Sequence, residues 1–474
     1  MPLTRVHTGQ VLDTNNQLLS TGQSTAFSFV DPLIPLNINQ LNIATTNPND
    51  IGFIFIRGTS GTHNVGLFWD ESAGAVRVAN TTETGSTTGN ITYTSNAPIA
   101  VGDITTTGNV NLTGTAGTGL VFTDGSKLQS MAYFPGRNRI INGSFRVSQY
   151  NSTSAITPTV GTYVIDMWYA ALSQASKLTF QQVADAPAGA KYSTKVTVAS
   201  QFIPGVADAF GFRQNIEGQN IVDLSYGTAG ALTITTSFQI KSSIVGTYSV
   251  RIFNTLSTKS YVATYTISLA NTWTPLTITI PGDTASAFST DNSTGLFLDF
   301  ALGAGTNLQT ASTNTWLAGA YTQSTSSIQF VDQIAGSTWQ LANVQLEAGS
   351  VATTFEQRLI GAELGLCRRY LPAILISDVN YLNYGSTTVG YAYYRFDTIP
   401  RVPPTSISFS NLSHFTMYGT GGSAAPSSIA LQLGLANSAS VTFTTLTAIG
   451  GAGAIGNTVM NNAAAYLLFT GCEL

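Results

Sequence analysis

Five tyrosines crowd into one short stretch near the end of the chain: Tyr381, Tyr384, Tyr391, Tyr393 and Tyr394. A tyrosine ring offers a large apolar face at low entropic cost, with a hydroxyl that can stay wet. Such rings, set among neutral hydrogen-bonding groups, can stack on the apolar faces of sugars. In an alternating strand Tyr391 and Tyr393 share one face while Tyr394 and Phe396 share the other. One of those faces is core. The five tyrosines are the candidate glycan-binding residues, each open to two roles, platform or packing.

Catalysis is harder to build. Glycoside cleavage usually needs two carboxylates about 5–10 Å apart. Between Val402 and Cys472 there is no acidic residue, so the last part of the chain cannot supply such a pair by itself. Upstream, Asp166, Asp185, Asp208, Asp223, Asp283, Asp291, Asp299 and Asp332 are scattered, as residues of turns and strand ends are. His7, His63 and His414 lie far apart, and none sits in a nucleophile elbow. Gly451 to Gly456 spells a dinucleotide-binding G-x-G-x-x-G, but no amphipathic helix follows, so it reads as a turn. Cys367 and Cys472 have no metal-ligand spacing; they are either a disulfide or two free thiols of a protein folded in reducing cytosol. The expectation is a binding protein without catalytic residues or cofactor.

Composition narrows the scaffold. The chain has 474 residues, 43% hydrophobic and only 9% charged, with a net charge of −4. Typical soluble domains carry about 25% charged residues. Solubility must come from Thr, Ser, Asn, Gln and backbone amides, a profile that suits strands and not long exposed helices. No Lys/Arg footprint for phosphate contacts exists, which argues against nucleic acid. The start lacks the apolar stretch of a signal peptide, and no apolar run reaches the 18 or so residues of a membrane span. The expected fold is all-β, an extended multi-domain fibre of β-sandwiches with a thin intertwined shaft and one short helix.

Six segments follow. Residues 1–48 read as an arm, and 49–100 as a small β domain built on the runs Ile51 to Ile56, Val65 to Trp69 and Ala75 to Val78. In residues 101–131, Ile104, Val110, Leu112, Leu120 and Phe122 alternate with glycines and threonines. So few apolar side chains cannot make a core from one chain, since segments below about 40 residues rarely fold alone. This is read as a shaft in which copies wrap together through those five residues, the other reading being a flexible linker. Residues 132–352 carry many strand-like runs and four tryptophans, Trp168, Trp273, Trp316 and Trp339, which suit one large jelly roll. Residues 353–371 read as a helix capped by Thr353 or Thr354, with Glu356 and Gln357 close enough for a capping-box contact, Phe355, Leu359, Ala362, Leu366 and Tyr370 on one face and Pro372 at its end. That face packs on its own sandwich or on copies around an axis, making Leu359 and Leu366 further candidate oligomer contacts. Residues 372–474 are again β, a second and smaller sandwich.

Several motifs resemble those of phage tail-fibre proteins. Asn138-Arg139-Ile140-Ile141-Asn142-Gly143-Ser144-Phe145, with Gly161-Thr162-Tyr163 and Asp166-Met167-Trp168, resembles the opening of a module common in that family. Val344-Gln345-Leu346-Glu347-Ala348-Gly349, then Ala352-Thr353-Thr354-Phe355-Glu356 and Cys367-Arg368-Arg369-Tyr370, resembles its close. Gln214-Asn215-Ile216-Glu217 and Pro281-Gly282-Asp283-Thr284 fit the same pattern, and the module is similar to jelly-roll carbohydrate-binding modules. Asn49 to Ile54 with Trp69-Asp70-Glu71-Ser72 resembles structural proteins of tailed phages. Leu120 to Gln129 resembles the Asp-Gly turn that ends many fibre shafts. The resemblance implies a homotrimer on the virion tail that docks to tail or baseplate proteins through its N-terminal part and binds bacterial surface polysaccharide. It carries no catalytic residues over. Similar jelly rolls hold a structural Ca²⁺; here Asn343 stands where an acidic ligand would. The other readings are a structural connector or decoration protein of baseplate or head, and a depolymerising tailspike.

Overall fold

The computed structural model describes residues 51–55, 64–70, 72–82, 90–97, 99, 120–121, 127–128, 136–149, 151–159, 161–255, 258–375 and 379–474. The arm, and Ile104, Val110, Leu112 and Phe122 of the expected shaft, lie outside them. The chain divides into two units, Met1–Asn111 and Leu112–Leu474. The first holds a four-stranded antiparallel meander of Ile51–Phe55, Asn64–Asp70, Ala75–Thr81 and Tyr93–Asn96. The turn between its second and third strands is organised by Asp70, whose Oδ1 accepts from Ser72 Oγ at 2.6 Å and Ala73 N at 3.0 Å, while Oδ2 accepts from Arg77 Nε at 2.8 Å. These donors, Ser72 foremost, hold the carboxyl below the usual aspartate range.

In the second unit, Leu120–Val121 pairs antiparallel with Lys127–Leu128, Leu120 opposite Leu128. The large sandwich follows, all of its main ladders antiparallel. One sheet has five strands in the order Thr274–Ile280, Ile234–Ser242, Thr338–Ala348, Ser193–Val198, Leu178–Val183. The other has seven: Trp316–Ala318, Lys259–Ile267, Gly246–Asn254, Thr294–Ala304, Ala209–Glu217, Trp168–Leu172, Thr162–Ile165. Between them lies an aromatic core in which Trp168 stacks on Phe212 with centroids 4.9 Å apart. Trp168 and Trp339 are both fully buried. The fold class is all-β, with jelly-roll modules.

The motif residues turn out to be the seam of this sandwich. Asn138 Oδ1 accepts from the backbone N–H groups of Ile140 and Leu346 at 2.9 and 3.1 Å. Gln214 imitates a strand partner for Ile141, accepting from its N–H and donating to its carbonyl, both at 2.7 Å. Asp166 accepts from Gln149 N at 2.5 Å and Gln149 Nε2 at 2.6 Å. Glu347 accepts from Thr353 N at 2.8 Å and Thr353 Oγ1 at 2.6 Å, and Glu356 accepts from the backbone of Gly136 and Asn138, each at 2.8 Å. Opening and closing segments are thus joined by buried side-chain-to-backbone bonds, and a buried polar group pays for itself only when satisfied in this way.

That seam corrects the helix. It spans Ile360–Arg368, and residues 353–359 are extended because Thr353 and Glu356 bind the sandwich instead of capping. The inward face is Glu363, Cys367 and Tyr370. The expected apolar stripe is split: Leu359, Ala362 and Leu366 point outward, Leu359 82% and Leu366 36% exposed, whereas Tyr370 is buried. Glu363 occupies the inward face because its carboxylate accepts from Asn142 N and faces Arg358 at 3.5 Å. Periodicity of apolar residues cannot register an inward carboxylate.

Beyond the helix, a three-stranded sheet (Ala373–Leu375, Tyr466–Thr470, Ser406–Phe409) packs on a seven-stranded one. The latter runs Gly422–Ala424, Phe415–Gly419, Ile455–Met460, Val379–Tyr384, Val389–Arg395, Ser438–Thr444, Ser428–Gly434. Its inward residues, among them Leu382, Tyr394, Met417, Val441 and Phe443, form a separate core with Leu467 and Phe469. Residues 472–474 then return to the large sandwich. Leu474 packs against its core, and the Leu474 carbonyl accepts from Tyr163 Oη at 2.5 Å and Asn215 Nδ2 at 2.7 Å. Arg401 clamps this return, donating to the carbonyls of Cys472 and Asn292 at 3.0 Å each and to that of Glu473. Cys367 and Cys472 are both buried free thiols, the latter pushed up to about 12 chiefly by burial. Arg401→Lys keeps the charge but loses the fork, and should cost about 1 kcal/mol in urea unfolding.

Candidate functional site

The strand Val379–Tyr384 alternates outward and inward, and so does Val389–Arg395. The two pair as Leu382↔Ala392, Asn383↔Tyr391 and Tyr384↔Gly390. The next step of that register sets Tyr381 opposite Tyr393. Both point away from the core, 80% and 65% exposed. Tyr391 shares their face and is half-buried, its ring leaning over Gly385, where an added Cβ would come within 2.7 Å of Cε2.

The other two tyrosines are inward, which removes them as ligand platforms. Tyr384 is 1% exposed, its ring held between Gly450 and Gly456, whose added Cβ atoms would fall 2.2 and 2.6 Å from it. Its hydroxyl donates to the Tyr418 carbonyl at 3.2 Å, and burial raises its pKa. Tyr394 is 3% exposed and packs on Phe469 at 5.6 Å, with Phe396 on the same ring at 5.0 Å. Strand parity decides this split: every second residue belongs to the core. The glycine-rich Gly451 to Gly456 is a turn entering the strand Ile455–Met460, and Gly456 leaves room for Tyr384 and for the Tyr418 backbone.

Neighbouring strands widen the face. Asn457 lies opposite both Tyr381 and Tyr418, so one cross-strand row reads Tyr418, Asn457, Tyr381, Tyr393, Ser440. A second row reads Ile455, Asn383, Tyr391, Thr442, Ala430. Tyr418 and Ile455 are 45% and 74% exposed. Asn457 Oδ1 is left without a hydrogen-bond partner beneath the tyrosines. Only one charged side chain, Arg395, occurs in these seven strands. The face is therefore aromatic, amide- and hydroxyl-bearing, and close to neutral. Tyr418, Ile455 and Asn457 were not legible beforehand, since they are brought to Tyr381 by pairings across scores of residues.

Among the described residues no group of three or more His, Cys, Asp or Glu could hold a metal. Asn343 donates from Nδ2 to Gln239 Oε1 at 2.7 Å. His414 Nδ1 lies 3.1 Å from Ser410 Oγ, at a 3-10 turn. No helix among the described residues is long and apolar enough to cross a membrane.

No family model matches the sequence, and no curated protein matches it. Solved structures similar to the chain include the enzymatically active domain of tailspike protein 4 of bacteriophage CBA120, at 14% identity and a TM-score of 0.23 over 45% of this chain and 22% of that one. The chain thus spans less than a quarter of that domain's length. Another is the family 11 carbohydrate-binding module of the cellulase Lic26A-Cel5E of Clostridium thermocellum, at 12% identity and 0.22 over 43% of this chain and 100% of that one. A third is TmCBM61 in complex with β-1,4-galactotriose, at 10% identity and 0.22 over 45% of this chain and 99% of that one.

Proposed function

We propose that this chain is a receptor-binding fibre of a phage tail that holds a neutral bacterial surface glycan without cleaving it. The observation that carries the reading is the outward row of Tyr418, Tyr381 and Tyr393 on a sheet face with almost no charge. Such a face offers ring stacking and neutral donors and acceptors for hydroxyls, and nothing that repels an uncharged polymer. The virion role is supported by the motif resemblance along residues 30–375. In this reading the N-terminal arm docks to tail or baseplate proteins, and three copies assemble through the shaft and through the outward Leu359 and Leu366.

Avidity then compensates for modest single-site affinity, because linked sites gain strength without new contacts. The test is adsorption of the purified full chain to host cells and to arrays of host polysaccharide. Binding that free polysaccharide competes away is the expected result. Retention on purified baseplates without cell binding makes the chain a connector, and shortening of the polysaccharide makes it a depolymerase; either sinks the reading.

A further inference from the structure

The outer face of the seven-stranded sheet of the large sandwich carries an arginine, Arg213, with no carboxylate at ion-pair distance among the described residues. Register places Arg213 between Tyr169 and Asp299, and Asp299 between Arg213 and Arg251. The only acid in this row is taken: Asp299 Oδ2 accepts from Arg251 Nε at 2.9 Å and lies 2.8 Å from Arg251 Nη2. Both members of that pair are buried. Asp299 is thus committed to Arg251, and Glu473, which acts on Tyr163 alongside Arg213, is not within ion-pair distance of Arg213.

Arg213 forms no ion pair among the described residues, and its Nε is buried without a hydrogen-bond partner. Its guanidinium rests on aromatic rings, 4.8 Å from the centroid of Tyr169, 5.1 Å from Phe297 and 6.0 Å from Phe253. Phe253 and Phe297 are themselves stacked, 4.4 Å apart and 8° from parallel. Rings of this kind attract a cation by about 0.5–2 kcal/mol, which orients the planar fork without supplying a counter-charge. Arg213 as a whole is partly exposed, with Nε on its buried side. Such a held, unpaired fork matches a carboxylate with two parallel bonds.

We propose that this cradle binds the carboxylate of an acidic sugar residue, a uronate, at a site separate from the neutral tyrosine face. The proposal rests on the glycan-binding reading and adds to it an acidic component of the polymer. It makes the chain a two-site binder, with one neutral aromatic face and one arginine-based anion subsite.

The test is titration calorimetry of the full chain with trigalacturonate and trimannuronate, beside galactotriose and mannotriose as neutral counterparts and sulfated galactotriose as a second anion. At least one uronate should bind tenfold or more tightly than its neutral counterpart, with affinity falling as salt is raised. Arg213→Gln should remove that preference in a chain that remains folded by circular dichroism. Arg213→Lys should retain only part of it, lacking the fork. Any of three results overturns the subsite: neither uronate preferred, preference unchanged in Arg213→Gln, or sulfated galactotriose favoured over both uronates. Neutral binding that persists with no acidic preference sinks this subsite alone, whereas absence of all glycan binding sinks the functional reading with it.

Discussion

Asn142→Ala should lower the unfolding free energy of the large sandwich by about 4 kcal/mol, the largest stability effect expected of any single replacement in the motif seam. Asn142 is fully buried and sits at φ 56°, a left-handed conformation that asparagine tolerates and alanine does not. Its Oδ1 accepts from Val147 N at 3.0 Å, and its Nδ2 donates to the carbonyls of Val147 and Asp166 at 2.7 and 3.0 Å. Alanine leaves those three backbone groups without partners in a dry interior, at about 1–3 kcal/mol each before relaxation. The Asn142 carbonyl also accepts from Trp168 Nε1 at 3.1 Å, so a shift of this turn reaches the aromatic core. Asn142→Gly relieves the backbone strain but not the lost bonds, and should recover about 1 kcal/mol. Urea unfolding followed by tryptophan fluorescence measures both. A loss under 1 kcal/mol for the alanine variant would mean the seam is ornamental.

The second large effect concerns binding. Tyr381→Ser with Tyr393→Ser should weaken glycan binding roughly 100-fold per site, at about 1–2 kcal/mol for each stacked ring. Both side chains are exposed, so stability should change little, within about 0.5 kcal/mol. Tyr384→Phe is the contrasting control: it removes a buried hydroxyl bonded to the Tyr418 carbonyl and should lower Tm while leaving the outer face able to bind. If copies act together, loss at each site compounds on the assembled particle, and cell adsorption should fall more steeply than single-site affinity. Unaltered adsorption by the double variant would move the receptor site off this sheet.

Much of the scaffold could be read from residue order. The strands at Ile51–Phe55, Asn64–Asp70 and Ala75–Thr81 lie where short apolar or alternating runs between turn residues put them. Trp168 could be assigned to the core because a sandwich needs a bulky residue there. What local pattern could not convey was pairing at a distance. Thr353 and Glu356 look like helix-capping residues, yet they bind Glu347 and the Gly136–Asn138 backbone, which only folding brings near. Alternation divided the tyrosines into two sets but did not say which set faced water; the second sheet, contributing Phe469, decided it. Nothing in residue order marks Arg213, since its lack of an ion pair depends on Arg251 holding Asp299 across the sheet.

The return of residues 472–474 has a mechanical meaning. The smaller sandwich leaves the larger one by the helix Ile360–Arg368, seated through Cys367 and Tyr370, and comes back at Leu474 under the Arg401 clamp. A body hung from two points cannot swivel as it would on a single thread. On the proposed reading the tyrosine face is therefore aimed before it meets a glycan, and little rotational freedom remains to be surrendered on contact.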